Sequence, residues 1–384
     1  GKRVLVRVDF NVPQSASGAI TDDTRIREAL PTLKLLLGRG ARVILVTHLG
    51  RPKAKPEDKL RLDPVAKRLG ELLGRPVEKL NEIVGPAVRA RVDALAAGSA
   101  LMLENVRFDP GEEKNDPAFA QALASLAEVY VNDAFGTAHR AHASTVGVTK
   151  FLSPCAAGLL LRKELLYLDG AVNNPERPFT AILGGAKVST KINVTRRLAE
   201  KVDNILIGGG MAYTFLRAMN MEVGNSLVDL ERVKDAKEIL KLFIDKNIKF
   251  LLPFDHLIAD RIDPDAPSLL VIREGIPPDM MAVDIGPNTA QMFTNVIKKS
   301  KTVIWNGPMG VFEIEAFAKG TYAIARALAE SSAVTIIGGG DSVAAINKLG
   351  IADKFTHIST GGGASLEMLE GVTLPGIAAL TDAR

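Results

Sequence analysis

The chain has 384 residues, a length that suits two domains, since one domain ordinarily takes about 100 to 200 residues. Hydrophobic residues make up 47% and charged residues 24%, proportions that are typical of a globular protein and exclude disordered, collagen-like and coiled-coil chains. A formal net charge of +4 with only 5% aromatic residues argues against a nucleic-acid-binding protein, which needs clustered basic and stacking side chains.

Membrane, secreted and redox proteins are also poor interpretations. No apolar run approaches the ~18 residues of a membrane helix, and the N-terminal segment, with Arg3, Arg7 and Asp9, does not resemble a signal peptide. The single cysteine, Cys155, allows neither an internal disulfide nor a cysteine-rich metal site. We therefore expect a cytoplasmic protein without membrane or nucleic-acid partners, and its low net charge favours a monomer.

Short β-branched runs alternate with stretches of helical periodicity, which predicts an α/β fold with two doubly wound, Rossmann-like parallel sheets. Strands are predicted at 4–8, 43–47, 100–103, 128–131, 180–183, 204–207, 249–252, 302–305, 334–337 and 356–358. Helices are predicted between them, for example at 63–73, 117–126, 191–202, 230–246, 320–330 and 341–349. A helix at 158–169 and a turn-rich segment at 173–178 predict a hinge over 158–178, between domains at 1–157 and 179–373.

The two halves differ in composition. Residues 1–160 carry 23 Lys and Arg against 18 Asp and Glu, whereas the remaining residues carry 25 against 26. Of the 34 glycines, 11 lie in four runs beyond residue 180, at 184–185, 208–210, 338–340 and 361–363. The first half is therefore basic, and the second half is rich in glycine loops.

The segments that follow the strands of the first half are polar and basic. Open α/β sheets bind ligands at the carboxyl ends of their strands, so these segments are the candidate site. Five cations lie there: Arg25 in a predicted loop, and His48, Arg51, Arg107 and Arg140. Each one alone would be a solvated charge or a local ion pair. Together at equivalent positions they favour a site for a small, multiply charged anion, because guanidinium forks match phosphate and carboxylate.

A metal site in this half is a weaker interpretation. His139 and His142 are three residues apart, but Arg140 and small residues surround them in place of carboxylates or thiolates. Hydrogen bonding within a loop is the better prediction for both histidines.

The strands of the second half end in glycine. Gly184 and Gly185 precede Lys187 and a predicted helix with Lys191, and the runs at 208–210 and 338–340 each open another helix. Glycine lets a ligand approach the backbone, and a helix N-terminus offers free N–H groups to phosphate. Neither the P-loop nor the dinucleotide fingerprint is present. The alternative is that these glycines only permit tight turns. The presence of four such runs favours nucleotide binding, and so do the two lysines. These lysines are four residues apart and share one helical face if the helix begins early.

Two further carboxylates suit a nucleotide site. Asp341, directly after a glycine run, is the expected ligand of a Mg²⁺ ion held mainly by phosphates and water, and Glu313 is placed to accept hydrogen bonds from a ribose. The sequence shows no Gly-x-Ser-x-Gly elbow, no evident Cys/His pair and no His-Glu-x-x-His motif. Phosphoryl transfer needs none of them, since it depends on positioning and charge stabilisation.

Long motifs throughout the chain resemble those of the phosphoglycerate kinase family. They are VLVRVDFNVP (4–13), THLGRP (47–52), LENVRF (103–108), VNDAFGTAHRAHAST (131–145), ILGGAKVSTKI (182–192), WNGPMGVFE (305–313), GGGDS (338–342) and STGGGASLE (359–367). The resemblance implies reversible phosphoryl transfer between ATP and the carboxylate of 3-phosphoglycerate in glycolysis. It also implies a phosphoglycerate domain at 1–157, a Mg-nucleotide domain at 179–373, closure about the hinge, and a tail at 374–384 that returns to the first domain.

The resemblance also assigns roles to individual residues. For phosphoglycerate it implies binding by Asp9 and Asn11 at the glycerate end, by His48, Arg51, Arg107 and Arg140 at the phosphate, and by Arg25, Phe10, Leu49 and Gly50. For nucleotide it implies Lys191, Gly339, Gly340 and Ser342 at the phosphates, Asp341 at Mg²⁺, Glu313 at the ribose, Gly286, Pro308 and Val311 near the base, and Gly185, Lys187, Gly209 and Asn306. The catalytic set it implies is Arg25, Lys187, Gly340 and Gly363, which stabilise the group in transit.

Two other interpretations were compared with this one. A nicotinamide dehydrogenase would carry the Gly-x-Gly-x-x-Gly turn and a later acidic residue, which are missing. A non-catalytic, two-domain anion- or nucleotide-binding protein remains the alternative, although it would have no use for paired lysines or a Mg²⁺ carboxylate.

Overall fold

The computed structural model describes residues 1–186, 188–272 and 275–381, and the chain divides into two compact units. Unit 1 consists of Gly1–Leu165 together with the C-terminal residues from Thr373, and unit 2 is Leu166–Val372. The sequence places the end of the first domain at residue 157, whereas this division falls inside a helix a few residues later. In the part of the chain that is described, no helix is both long enough and apolar enough to cross a membrane.

Unit 1 is built on a six-stranded parallel sheet with the order β3-β4-β2-β1-β5-β6. Its strands are β1 (Arg3–Val8), β2 (Arg42–Val46), β3 (Glu78–Lys79), β4 (Ala100–Met102), β5 (Val129–Asp133) and β6 (Cys155–Ala157). The sequence did not predict β3 and β6, which lie at the two edges of the sheet. They are two and three residues long, too short to show a strand pattern.

Helices cover both faces of this sheet. They are α1 (Thr24–Gly38), α2 (Asp63–Leu73), α3 (Pro86–Asp93), α4 (Pro117–Ser125) and the start of α5 (Leu159–Asn173). Alternate residues of the strands face two different cores: Val6 and Leu45 lie in one, and Leu5 and Ile44 in the other. Both faces of β1 and β2 are therefore buried, as in other doubly wound sheets.

Unit 2 contains a second parallel sheet of six strands with the order β15-β14-β13-β7-β8-β9. Its strands are β7 (Phe179–Leu183), β8 (Asn204–Ile207), β9 (Lys249–Leu251), β13 (Thr302–Asn306), β14 (Val334–Gly338) and β15 (His357–Ile358). The helices of this unit, besides the rest of α5, are α6 (Ile192–Leu198), α7 (Met211–Ala218), α8 (Val233–Asp245), α9 (Pro287–Ile297), α10 (Lys319–Ala329), α11 (Gly340–Leu349) and α12 (Gly363–Leu369). The fold class predicted from the sequence, α/β with two doubly wound parallel sheets, is confirmed.

A three-stranded antiparallel sheet is an addition that the sequence did not predict. It consists of β10 (Asp255–Ala259), β11 (Ser268–Ile272) and β12 (Met281–Ile285), with β10 in the centre. The sequence predicts no strand within residues 253–301, because these three strands follow one another without helices between them. The helix–strand alternation on which the prediction rested is absent here.

The C-terminal segment of the chain belongs to unit 1. Its short helix α13 (Pro375–Ala378) lies against the end of β5, where the Asn132 side chain donates to the carbonyl of Gly376 at 3.0 Å. The backbone N–H of Cys155 donates to the Thr381 hydroxyl at 3.1 Å, and the N–H of Thr381 donates back to the Cys155 carbonyl. Residues 374–381 thus bind to the end of β5 and to the start of the edge strand β6.

Candidate active site

The carboxyl ends of β1 and β2 are joined by polar side chains. Asp9 directly follows β1 and is buried; its carboxylate lies 3.2 Å from the guanidinium of Arg25 and 3.8 Å from Nδ1 of His48. The Asn11 side chain accepts from the N–H of Gly50 at 2.8 Å, and its carbonyl accepts from Arg25 at 3.0 Å. These contacts hold the loops after the two strands against each other.

Arg25 does not lie in a loop, as the sequence predicted, but in the first turn of α1. Asp22 and Asp23 do lie in a loop, but Asp22 accepts from the N–H of Thr24, the first residue of α1, so the loop ends before Arg25. The helix gives the Arg25 side chain a fixed origin at the rim of the sheet.

Arg107 and Arg140 reach the same rim from the other strands. Arg107 is buried, donates to the carbonyl of Gly50 at 2.8 Å, and lies 3.1 Å from the Glu113 carboxylate. Burial lowers the pKa of Arg107, and Arg140 is among the positive charges that lower it further. Arg140 is half-buried beside His139, whereas Arg51 is exposed.

His48 shows how positive this rim is. The imidazole is buried, and its pKa lies well below the ordinary value because of burial and then the charges of Arg7, Arg107 and Arg25. The other two predicted contacts, Phe10 and Leu49, are buried in the core. A rim whose positive charges act together on a buried imidazole is suited to an anion of more than one charge.

A buried network beneath the rim was missed by the sequence analysis. Arg7, next to the last residue of β1, donates from Nε to the Ser144 hydroxyl at 2.8 Å, and its Nη2 lies 3.2 Å from Nδ1 of His48. The carboxylate of Glu112 accepts from the Ser144 hydroxyl at 2.6 Å and from the Ser144 N–H at 2.9 Å. Burial alone would raise the pKa of Glu112, but hydrogen bonds from His142 and Ser144 and the charge of Arg7 bring it below its usual value. An arginine inside an apolar strand was the signal available in the sequence.

We predict that Glu112→Gln destabilises unit 1 by about 3 kcal/mol, because it removes the carboxylate charge that is linked to the buried Arg7 through the Ser144 hydroxyl. Urea unfolding followed by far-ultraviolet circular dichroism measures the loss. The matched control is Glu71→Gln, since Glu71 is 48% exposed and pairs with the part-exposed Arg68, which keeps Asp23 as a second partner; its replacement should have a far smaller effect. Equal effects of the two substitutions would contradict the role of Glu112.

Glycine loops follow β7 and β8 of unit 2 and lie in contact with the loop after β13. The N–H of Gly185 donates to the Pro308 carbonyl at 2.8 Å, and the N–H of Gly209 donates to the Met309 carbonyl at 3.0 Å. Gly209 has a φ of +64°, and a Cβ there would lie 2.6 Å from the backbone nitrogen of Gly185. A side chain at this position would push the two loops apart, so the turn requires glycine.

Lys191 lies beneath these loops. It immediately precedes α6, so the helix does not begin early, which was the condition for a face shared by Lys187 and Lys191; Lys187 itself lies outside the described residues. The buried Lys191 ammonium donates to the carbonyls of Gly184 and Asn306, which end β7 and β13. Burial lowers its pKa to about 8, and the nearby charge of Asp341 opposes that shift.

The loop after β14 presents a helix N-terminus. Gly339 has a φ of +87°, and α11 begins at Gly340 with Asp341 exposed in its first turn. Ser342 is buried and accepts from the N–H of Gly307 at 2.7 Å. The buried side-chain amide of Asn306 has no hydrogen-bond acceptor among the described residues, and it faces Gly338. A ligand oxygen would accept hydrogen bonds from this amide and from the free N–H groups of α11.

A pocket of about 260 Å³ opens between these loops. Six of the predicted nucleotide residues line it: Gly185, Gly209, Pro308, Val311, Glu313 and Asp341. It is also lined by residues that the sequence analysis missed, among them Tyr213 and the successive residues of β12 from Met281 to Asp284. Gly286 does not border this pocket among the described residues, but a second cavity of about 550 Å³. Gly363, the first residue of α12, is exposed.

Asp341 is the candidate magnesium ligand. Within the described residues, no three His, Cys, Asp or Glu side chains cluster closely enough to hold a metal ion. A single carboxylate at the pocket, beside an amide and helix N–H groups suited to phosphate, nevertheless fits Mg²⁺, which commonly takes one or two carboxylates with phosphate oxygens and water.

Residues 1–372 of the chain match the phosphoglycerate kinase family. The phosphoglycerate kinase of Thermosynechococcus vestitus is 60% identical over 386 residues, covering 100% of this chain and 96% of that protein. The phosphoglycerate kinase of Moorella thermoacetica is 59% identical, covering 99% of this chain and 96% of its own.

Solved structures agree with these relatives. The structure of phosphoglycerate kinase from Coxiella burnetii superposes with a TM-score of 0.88 at 41% identity, and that from Pyrococcus horikoshii with a TM-score of 0.88 at 35% identity. Each comparison covers 99% of this chain and 96% of the other. With its family match, its relatives and its fold in agreement over nearly the whole length, the chain belongs to the phosphoglycerate kinase family of phosphotransferases.

Proposed function

We propose that the protein catalyses reversible phosphoryl transfer between ATP and the carboxylate of 3-phosphoglycerate, giving ADP and 1,3-bisphosphoglycerate. The observation that carries this proposal is the presence, in a chain of this family, of two differently built anion sites. Unit 1 offers buried and half-buried cations, and unit 2 offers backbone N–H groups and a buried lysine. We propose further that the enzyme serves glycolysis as a cytoplasmic monomer, for which the family resemblance is the support.

A coupled assay with the whole chain, ATP, Mg²⁺ and 3-phosphoglycerate tests the reaction. Formation of ADP that depends on 3-phosphoglycerate is expected. Nucleotide binding without such turnover would favour the non-catalytic alternative.

In this proposal the rim of unit 1 binds 3-phosphoglycerate. The phosphate is held by His48, Arg51, Arg107 and Arg140, and the glycerate end by Asp9 and Asn11. The buried Arg107 and His48 support this assignment, since burial and then neighbouring positive charges lower their pKa values, and a dianion would offset those charges. Phe10, Leu49 and Gly50 contribute by shaping the two loops, because the N–H and carbonyl of Gly50 tie Asn11 to Arg107.

The pocket of unit 2 binds the nucleotide. Lys191, Asn306, Ser342 and the N–H groups at Gly339 and Gly340 hold the phosphates, while Glu313, Pro308 and Val311 lie toward the ribose and base. Gly185 and Gly209 line the pocket where the glycine loops meet the loop after β13. Asp341 would hold Mg²⁺, which, when bound, neutralises charge on the phosphates. Gly286 has the weakest support, since it borders the other cavity.

The transfer itself requires little covalent chemistry from the protein. The acceptor carboxylate is already ionised, so no general base is needed. We assign Arg25 to the developing charge on the phosphoryl group, assisted by the backbone N–H groups of Gly340 and Gly363 and by Lys187. The reacting atoms must come within about 3 Å, and we propose that residues 158–178 supply the hinge for that approach.

We predict that Arg25→Ala lowers kcat by about a hundredfold or more, while the KM for ATP changes less than threefold, because Arg25 acts on the transition state. Steady-state kinetics with both substrates measures this. Arg27→Ala is the matched control on the same helix, since Arg27 is 53% exposed and pairs with Asp23; it should leave kcat unchanged. Parallel losses of kcat and nucleotide affinity would reduce Arg25 to a binding residue.

We predict that nucleotide affinity falls as the pH rises above 8, approaching tenfold per pH unit. In the free protein Lys191 titrates at about 8, and phosphate raises this pKa because it favours the charged form. Binding therefore takes up a proton above pH 8. Calorimetry of ADP binding in two buffers of different ionisation enthalpy measures that uptake.

Lys191→Met should abolish the proton uptake along with much of the affinity. Lys348→Met is the control, because Lys348 is 46% exposed and pairs with Glu315; that variant should keep the pH dependence. Uptake that persists in Lys191→Met would assign the titration to another group.

A further inference from the structure

Asp284 is a buried carboxyl group that the proposed mechanism does not use. It lies near the end of β12, is 2% exposed, and accepts from the N–H of Gly320 at 2.6 Å and from the N–H of Ile285 at 2.9 Å. Burial raises its pKa to about 7 in spite of these two donors. A carboxyl group kept in such a position at this energetic cost calls for a structural or functional reason.

The carboxyl group fills the space between two glycines. A Cβ on Gly310 would lie 2.3 Å from Oδ1 of Asp284, and a Cβ on Gly320 would lie 2.4 Å from the same atom. Gly310 belongs to the loop after β13, and Gly320 to the first turn of α10. Asp284 therefore sets how closely both backbone segments approach β12.

Neighbouring contacts hold the same loop. The Thr321 hydroxyl accepts from the N–H of Met309 at 3.0 Å and from the N–H of Gly310 at 3.2 Å. The N–H of Val311 donates to the Val283 carbonyl of β12 at 2.8 Å. The segment 309–311 is thus fixed between the first turn of α10 and β12.

These elements form one wall of the pocket in unit 2. Met309, Gly310 and Val311 line it, and so do the residues of β12 from Met281 to Asp284. The distance between segment 309–311 and β12 therefore determines the shape of the pocket on this side. A change of that spacing would alter the fit of whatever occupies the pocket.

We propose that Asp284 is a positioning residue for nucleotide binding, which fixes segment 309–311 against β12 and α10 so that the pocket fits the base and ribose. This inference rests on the proposed function, because it takes the occupant of the pocket to be a nucleotide. Asp284 acts through the backbone of Gly310 and Gly320 and need not touch the ligand itself.

The chain offers a matched control in Asp255. This residue is also buried, lies at the start of β10, and accepts from the N–H groups of Asn288 and Thr289 at 2.9 and 2.7 Å in the first turn of α9. Its carboxylate is also packed against a glycine, since a Cβ on Gly286 would lie 2.5 Å from Oδ2. Asp255 does not border the pocket among the described residues, so its replacement tests the loss of a helix cap alone.

The test compares Asp284→Asn with Asp255→Asn in the full-length chain. Asparagine offers one oxygen where the carboxyl group accepts from two N–H groups, so the glycine backbones are expected to shift. For Asp284→Asn we expect the Kd for Mg-ADP and the KM for ATP to rise about tenfold, while kcat and the KM for 3-phosphoglycerate change less than twofold. For Asp255→Asn we expect a lower Tm with nucleotide constants within twofold of the parent.

Unchanged nucleotide constants in Asp284→Asn, or an equal rise in Asp255→Asn, would overturn the proposal. If Asp284→Asn does not fold, Thr321→Val replaces it, since it removes the hydroxyl that accepts from Met309 and Gly310; the same tenfold rise is expected, and its absence would overturn the proposal. Direct binding of Mg-ADP separates this inference from the proposed function. An unmodified chain that binds Mg-ADP but transfers no phosphate would refute the reaction, and the comparison of Kd values would still decide the role of Asp284.

Discussion

The cost of placing cations inside a protein governs the organisation of unit 1. Arg7 and Arg107 are buried beside His48, and a charge out of water is tolerated only with a partner. Glu112, Asp9 and Glu113 provide part of that compensation. The arrangement leaves a fixed positive rim at the carboxyl ends of the strands. Because these carboxylates and hydrogen bonds fix the cations in place, the cations do not have to be ordered when a ligand binds, which lowers the entropic cost of binding.

Unit 2 attracts anions mainly with its main chain, and only one buried cation is described there. The first turn of α11, after β14, offers backbone N–H groups to a ligand, and the glycine loops after β7 and β8 border the pocket. One ammonium group, Lys191, lies beneath these loops. Main-chain dipoles carry no net charge, so they can be buried at little cost while they still attract phosphate. This difference explains why the excess of basic residues lies in the first half and the glycine runs in the second. The same type of fold thus presents two kinds of anion site.

Much of this could be predicted from the sequence, because the ends of parallel strands meet at one edge of a sheet. That rule brought Asp9, His48 and Arg107 together correctly. It could not reveal the network of Arg7 and Glu112, since strand alternation says only that a residue is buried or exposed and does not identify its partner. A pocket wall made by apolar residues such as Ala282 carries no chemical signature, so the sequence could not identify it. Gly286, which the resemblance implied near the base, borders another cavity. The antiparallel sheet was missed because its strands lack intervening helices.

Unit 1 is not continuous in the chain, because it combines Gly1–Leu165 with the residues from Thr373 onward. The side chain of Asn132 and the backbone of Cys155 find their partners in Gly376 and Thr381. During synthesis these last residues leave the ribosome after the whole of unit 2, so β5 and β6 of the first sheet lack these partners until then. Unit 2, which is contiguous, can complete its contacts earlier. The order of translation therefore makes the half that begins the chain the last to be finished.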